Sequence, residues 1–463
     1  MFAAAATKTS NVNLSQKIES LINKYGDGVN IGVSVQSLNT GNVIYQRNAN
    51  QLFMPASSLK VFTAASALSY LGTNYTFKTR VLAAPHSINN QGILNGDLYF
   101  YFDGDPTLTR ENIHELVAVL KQLGVHRITG NIYLDDTVFD RAEFGPGWMW
   151  DERNLCYAAP VSAINIDHNC FPVTVSASKQ IGAPINITKY AGYSFINFVN
   201  NAVTSNASYA DCPLIMHGSE KNTYVFDGCM KPGVGPWGLS VAVRSMRPYS
   251  AEVIAQILRQ NNIELMGSFM FAKIPTNIQL SVIAGHDSAP LNALTKTMLK
   301  KSDNLIADAV YKKLGNAYFE SQGNWTNGAQ AIDNIVGKNA HIDFSKIKIV
   351  DGCGLSRHNL VSPQTLVSLL NYAYRNNTIR DAFLEALPIS GYDGHLQGRM
   401  GTIKGKVRAK TGNMKSITAL AGYIYTNGNQ VLTFAIIVND FTESVHKYQR
   451  LEDDICTLLY KSM

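Results

Sequence analysis

Acyl transfer asks at minimum for a hydroxyl and a base beside it, and Ser57 and Lys60 supply both in FMPASSLKVFTAASALSYL. The run after Pro55 is apolar and Ala-rich, which predicts a helix, and residues three apart share one face of its first turn. An amine there can take the serine proton if burial and nearby cations lower its basicity. The helix start adds free backbone N–H groups and the positive end of the dipole, both suited to a developing oxyanion. Alone the tetrad means little: it recurs by chance, and a serine at a helix start is commonly just a cap.

Two further clusters have the same double character. Ser302-Asp303-Asn304, in KKSDNLIADAVYKKL, falls between an amphipathic segment (Leu291, Leu294, Met298, Leu299) and a second helix near Leu305. It reads either as plain N-capping or as a proton relay (Ser302) beside an amide that orients substrate backbone (Asn304). Lys410-Thr411-Gly412, in VRAKTGNMKSITALAGY, lies on an expected strand. A cation and hydroxyl there suit a carboxylate, and Gly412 lets a substrate backbone approach the edge; a surface strand ending in a turn is the plain alternative.

The elements that must carry these residues come from both ends of the chain. LSQKIESLINKY (14–25) has apolar residues at helical spacing. IGVSVQSLNTGNVIYQ alternates around Asn39-Thr40-Gly41, and ITALAGYIYTNGNQVLTFAIIVND does so around Asn427-Gly428; each predicts a hairpin. A closing helix is expected from Val445 to Tyr460. One antiparallel sheet built from both ends is the economical arrangement. The middle, roughly 81–280, is made of short alternating segments (GDLYFYFDG, RITGNIYLDD, GLSVAVRS) with helices expected only at 110–123 and 250–262. It reads as a β-rich insertion, without a low-complexity linker or an internal repeat.

Composition bounds the answer. A chain of 463 residues, 46% hydrophobic and 16% charged, is a folded protein of two or three domains. The net charge of +6 is spread along the chain with no nucleic-acid patch; it suits an anionic wall polymer or has no meaning. No run of about 18 apolar residues predicts a transmembrane helix. The opening MFAAAATKTS lacks a basic n-region and a full apolar core, so an export signal is expected to be absent or truncated here. The ten histidines form no H-E-x-x-H, and there is no G-x-S-x-G elbow, so a zinc protease or an α/β-hydrolase has no support and no metal or cofactor is expected. Cys156, Cys170, Cys212 and Cys229 form two local pairs 14 and 17 residues apart. Taken alone, these are either disulfides of an oxidising compartment or free buried thiols.

Three motifs in this order, each in its proper context, say more than each alone. The chain resembles the low-molecular-mass penicillin-binding proteins that act as D-alanyl-D-alanine carboxypeptidase and endopeptidase and carry a large insertion. Ser302 lies 245 residues after Ser57, and Lys410 a further 108 on, which matches that branch and not β-lactamases or simple carboxypeptidases. DGDPTL (103–108), GWMWDERNLCYAAP (147–160), HNCF (168–171), DGCGLSRHNLVSP (351–363) and GYDGHL (391–396) match it as well. Cys353 departs from it, since serine is more usual there.

The resemblance implies an α+β fold: a serine β-lactamase/transpeptidase-like domain, an antiparallel sheet flanked by helices, with a β-rich insertion forming one or two extra domains. Residues 1–80 and 281–463 are expected to form the catalytic domain, 81–160 and 238–280 an inserted domain II, and 161–237 an inserted domain III. It implies Ser57 as nucleophile, Lys60 as base, and Ser302, Asn304 and Lys410 as their partners. The oxyanion would lie between the backbone N–H groups of Ser57 and Asn413, with Thr411, Gly412 and Asn413 along the substrate. Glu152, Tyr157 and Arg357 match the family's pocket for a diaminopimelate side chain, although Glu152 is one methylene longer than the usual Asp and Lys415 replaces an uncharged residue nearby. Arg357 has an ordinary structural ion pair as its alternative. The expected partners are peptidoglycan stem peptides of the meso-diaminopimelate type and β-lactam antibiotics; the expected location is the periplasm. The resemblance also implies disulfides 156–170 and 212–229, with Cys353 and Cys456 left as buried thiols. A β-lactamase or esterase, which would need a way to activate water against a bound penicillin, and a non-catalytic wall-binding protein are the competing readings.

Overall fold

The computed structural model describes residues 2–25, 28–190, 192–193, 195–219 and 221–463, with side chains of the first helix from Leu14 onward. Two compact units emerge: residues 1–75, 145–147 and 289–463, and residues 76–144 and 148–288.

The first unit is built on a five-stranded antiparallel sheet in the order Val407–Met414, Ile417–Tyr425, Val431–Asn439, Asn30–Ser37, Val43–Arg47. Both chain ends thus share one sheet. Period-2 alternation gives it two faces. Ile31, Val33 and Val35 join Leu420, Phe434 and Ile436 in an apolar layer against the helices Phe2–Tyr25 and Val445–Ser462. Gly32, Ser34 and Gln36 face the helix Pro363–Arg375: Ser34 donates to Gln364 at 2.9 Å and Gln36 accepts from Asn371 at 2.7 Å. Helix Lys60–Tyr70 packs against the helices Leu291–Lys300, Asn304–Phe319 and Pro363–Arg375. Its residues Lys60–Leu68 are all buried, which explains why it is apolar all round instead of amphipathic.

The second unit is a set of small sheets around one apolar cluster that runs from Val81 to Ala284. Its largest sheet is mixed, in the order Phe269–Phe271, Ile132–Asp135, Leu98–Phe102, Lys78–Ala83, Ser281–Asp287. The helices expected at 110–123 and 250–262 lie at Arg110–Gln122 and Met246–Gln260. Disulfides Cys156–Cys170 and Cys212–Cys229 staple this unit, while Cys353 and Cys456, in the first, are buried thiols. No described helix is long and apolar enough to cross a membrane.

One local expectation changes. The left-handed residue of the C-terminal hairpin is Asn429 (φ 59°), in a loop closed by Thr426 N–H to Gln430 O, and not Gly428. Gly428 is needed for another reason: a Cβ there would lie 2.5 Å from the Met463 carbonyl oxygen.

Candidate active site

Ser57 sits one step earlier than a simple helix start implies. Ala56–Leu59 is a 3₁₀ turn, and the α-helix begins at Lys60. Ala56 is held at φ 47°, a left-handed conformation that costs an alanine energy, directly before the serine. What holds it is packing: Gly354 (φ 84°) comes so close that a Cβ on it would lie 2.0 Å from the Ala56 carbonyl oxygen. The strained turn presents Ser57 half-exposed at the head of a buried helix.

Lys60 is fully buried and spends its three N–H donors on uncharged oxygens: Ser57 Oγ at 2.9 Å, Asn304 Oδ1 at 2.6 Å and the Cys353 carbonyl at 2.8 Å. Burial pushes its basicity down; Cys353, Asp308, Asp351 and Asp303 push it back up. The Ser-Asp-Asn break separates capping from chemistry. Asp303 is the N-cap, accepting Ile306 N–H at 2.9 Å, which leaves Asn304 free to turn its amide oxygen to Lys60. Ser302 stands in the left-handed region (φ 58°) and accepts from Lys410 Nζ at 2.9 Å. Lys410 is fully buried too and also donates to the Thr411 carbonyl at 2.7 Å; burial and then Lys60 hold its basicity well below the ordinary range.

Strand alternation puts Lys410 and Gly412 on one face and Thr411 and Asn413 on the other. The first face explains Gly412. A Cβ there would lie 2.5 Å from Pro55 O and 3.0 Å from Ser58 N, so the strand rests on the serine turn itself. The glycine is demanded by this contact inside the protein, a reason the sequence reading did not contain. On the second face Thr411 is buried, 3.5 Å from His395 Nδ1, and Asn413 is exposed. Asn413 Oδ1 accepts from Gln449 at 3.2 Å and lies 3.1 Å from the Thr418 hydroxyl. Thr418 in turn donates to the fully buried Glu452, which pairs with Arg399 at 2.8 Å. Lys415 is exposed.

Of the three residues expected to hold a diaminopimelate side chain, Glu152 and Tyr157 belong to the second unit and Arg357 to the first. Glu152 closes the 3₁₀ turn Trp150–Glu152, and Tyr157 sits in the turn Cys156–Ala158, fixed through Cys156 by the disulfide to Cys170. Partial burial and the Glu152 carboxylate beside it push the Tyr157 phenol up to about 12. The Arg357 backbone N–H donates to Gly147 O, and its guanidinium makes no ion pair or hydrogen bond among the described residues, so the structural ion pair is not what occupies it.

Residues outside the expected set complete the site. Asp308 follows Asn304 by four, on the same helix face, and Asp351 opens the DGCGLSR loop. With Cys353 they bring three buried polar atoms within 4.8 Å of one another beside Lys60. The i, i+4 spacing after Asn304 is the signal that could have found Asp308. His395, exposed on the surface, is held below its ordinary range by partial desolvation and by Lys410 and Lys60.

The chain matches the D-Ala-D-Ala carboxypeptidase 3 (S13) family over residues 14–457. It is 35% identical over 439 residues to the D-alanyl-D-alanine carboxypeptidase DacB of Haemophilus influenzae, covering 94% of this chain and 89% of that protein. The crystal structure of penicillin-binding protein 4 (dacB) from Haemophilus influenzae superposes with a TM-score of 0.89 at 34% identity, covering 96% and 99% of the two chains. Its complex with a novel β-lactam gives 0.85 at 32% identity with the same coverage. The α+β fold expected above, an antiparallel sheet flanked by helices with a β-rich insertion, is the one observed. The chain is a member of the D-Ala-D-Ala carboxypeptidase 3 (S13) family, of the low-molecular-mass penicillin-binding type.

Proposed function

We propose that this protein is a serine-type D-Ala-D-Ala carboxypeptidase and DD-endopeptidase that acts on peptidoglycan stem peptides and cross-links. The observation that carries the reading is the contact of a fully buried, base-shifted Lys60 with Ser57 Oγ at 2.9 Å, beside the Lys410–Ser302 pair at 2.9 Å. Ser57 Oγ bonds to the carbonyl carbon of the D-Ala-D-X bond while its proton passes to Lys60 Nζ. The C–N bond then breaks, and Ser302 with Lys410 relays the proton held by Lys60 to the departing amine, which leaves both amines as they began. Water attacks the resulting ester, releases the shortened peptide and returns the proton to Ser57. Backbone N–H groups of Ser57 and Asn413 stabilise the oxyanion, each worth about 3 kcal/mol of barrier. Thr411, Gly412 and Asn413 align the substrate and its terminal carboxylate.

Glu152, Tyr157 and Arg357 receive the diaminopimelate side chain, whose amine and carboxylate match an acid and an arginine. The open guanidinium of Arg357 and the acid–phenol pairing of Glu152 with Tyr157 support this. The two disulfides support a periplasmic location. Residues 161–237 are proposed as a body of their own within the insertion.

A β-lactam enters the same chemistry as a cyclic acyl donor, in keeping with the relative crystallised with one. Benzylpenicillin followed by mass spectrometry tests the reading: a stoichiometric adduct on the peptide bearing Ser57 is expected, and none in Ser57→Ala. No adduct on the parent protein overturns it. Rapid turnover of a chromogenic cephalosporin would favour a β-lactamase instead. Purified pentapeptide monomers and cross-linked dimers then read the two hydrolytic activities separately.

A further inference from the structure

Lys60 has no carboxylate among its hydrogen-bond partners, yet acids surround the loop that it touches. The two fully buried ones differ. Asp351 accepts from the backbone N–H groups of Gly354 (2.8 Å) and Ser356 (2.6 Å) and from the Asn359 amide (2.7 Å), a pattern that satisfies a carboxylate. Asp308 accepts the Gly352 N–H, at 2.7 Å; among the described residues its buried Oδ2 has no nitrogen or oxygen partner, and the Cys353 thiol near it points to Asp351 Oδ2 at 3.7 Å. A thiol is a poor donor, so it does little to hold a carboxylate. A metal ion between Asp308, Asp351 and Cys353 would be opposed by the neighbouring ammonium, which leaves a proton as the natural occupant.

We propose that Asp308 is a positioning residue for Lys60: the charge on Asp308, set inside the Asp308–Asp351–Cys353 cluster, decides how readily Lys60 takes and releases the serine proton. This rests on the acylation chemistry proposed above. Burial and then Asp351 push the Asp308 carboxyl up to about 8, while burial pushes the Lys60 amine down, so each group's charge bears on the other's. The titratable groups around the pair are Asp351 and Cys353 on the loop, Asp303 and Tyr311 on the helix of Asp308, and Lys410 and His395 from the sheet side. Of the carboxylates, Asp308 is the one with an unsatisfied oxygen.

The test is the pH profile of Ser57 acylation by benzylpenicillin in the full-length protein. Asp308→Asn removes the charge that favours the ammonium, so the acidic limb should move down by about one pH unit. Cys353→Ser puts a stronger donor between the Asp308 and Asp351 carboxylates, stabilises their ionised forms and should move the limb up. A merely structural role would lower the rate at every pH and leave both limbs in place, and that result overturns the proposal. If Asp308→Asn fails to fold, Cys353→Ser decides alone: an upward shift supports the proposal and an unmoved limb sinks it. A parent protein that no β-lactam acylates removes the proposed function instead, a result distinct from a profile that does not shift.

Discussion

The two compact units differ in how their cations are held. In the second, Arg247 grips Asp136 through two hydrogen bonds of 2.7 and 2.8 Å, and Arg110 pairs with Asp167 at 2.9 Å while lying over the Tyr193 ring. No lysine is buried there among the described residues, and two disulfides close its loops. In the first unit Lys60 and Lys410 are fully buried, and every hydrogen bond that they make goes to an uncharged oxygen. An ammonium taken out of water without a counter-ion costs several kcal/mol, which no selection for stability alone would retain. The paired cations belong to architecture; the two buried amines without a counter-ion belong to the candidate site.

Removing the unpaired charge should have the largest effect. Lys60→Met is expected to slow acylation by about 10³-fold or more. Its stability should move the other way with pH. The amine titrates below its ordinary 10.5 in the folded state, so its burial is a cost that is greatest in acid and vanishes above that value. The variant should therefore gain on the parent in urea unfolding as pH falls; a difference independent of pH would break the contrast. Arg399 tests the paired kind within the same unit. It meets the buried Glu452 at 2.8 Å and Asp453 at 2.7 Å, and Arg399→Ala strands both, so a loss of about 3–5 kcal/mol is expected. The folded fraction should still acylate with the parent's pH profile. The smallest expected effect is in the second unit: replacing Cys212 and Cys229 by serine opens a loop of 17 residues and should remove about 3 kcal/mol by denaturant unfolding, with Ser57 acylation unaltered.

How much of this was legible in the sequence depended on the distance over which each feature is encoded. Ser57 with Lys60, Ser302 with Asn304 and Lys410 with Gly412 are short-range spacings, readable because one turn or one strand fixes each. That all of them meet was carried by their order and context. The hairpins and the flanking helices followed from periodicity. What stayed hidden were contacts between remote segments. Nothing in DGCGLSR announces that Gly354 wedges Ala56 into a left-handed turn, nor that Gly412 lies on Pro55 and Ser58. Asp308 was hidden for a different reason: its i, i+4 spacing after Asn304 becomes a signal only once Asn304 is known to meet Lys60.

The strand order carries a last consequence, for the timing of assembly. Asn30–Ser37, near the start of the chain, pairs with Val431–Asn439, which in turn pairs with Ile417–Tyr425. The Lys410 strand is thus joined to the first hairpin only through residues made after it. Until those residues are made the serine turn has no strand to rest on, and Lys60 and Lys410 have no shared cavity in which to lose their hydration. Such long-range closure is slow. A nascent chain therefore cannot assemble this cluster, which closes as a single late event.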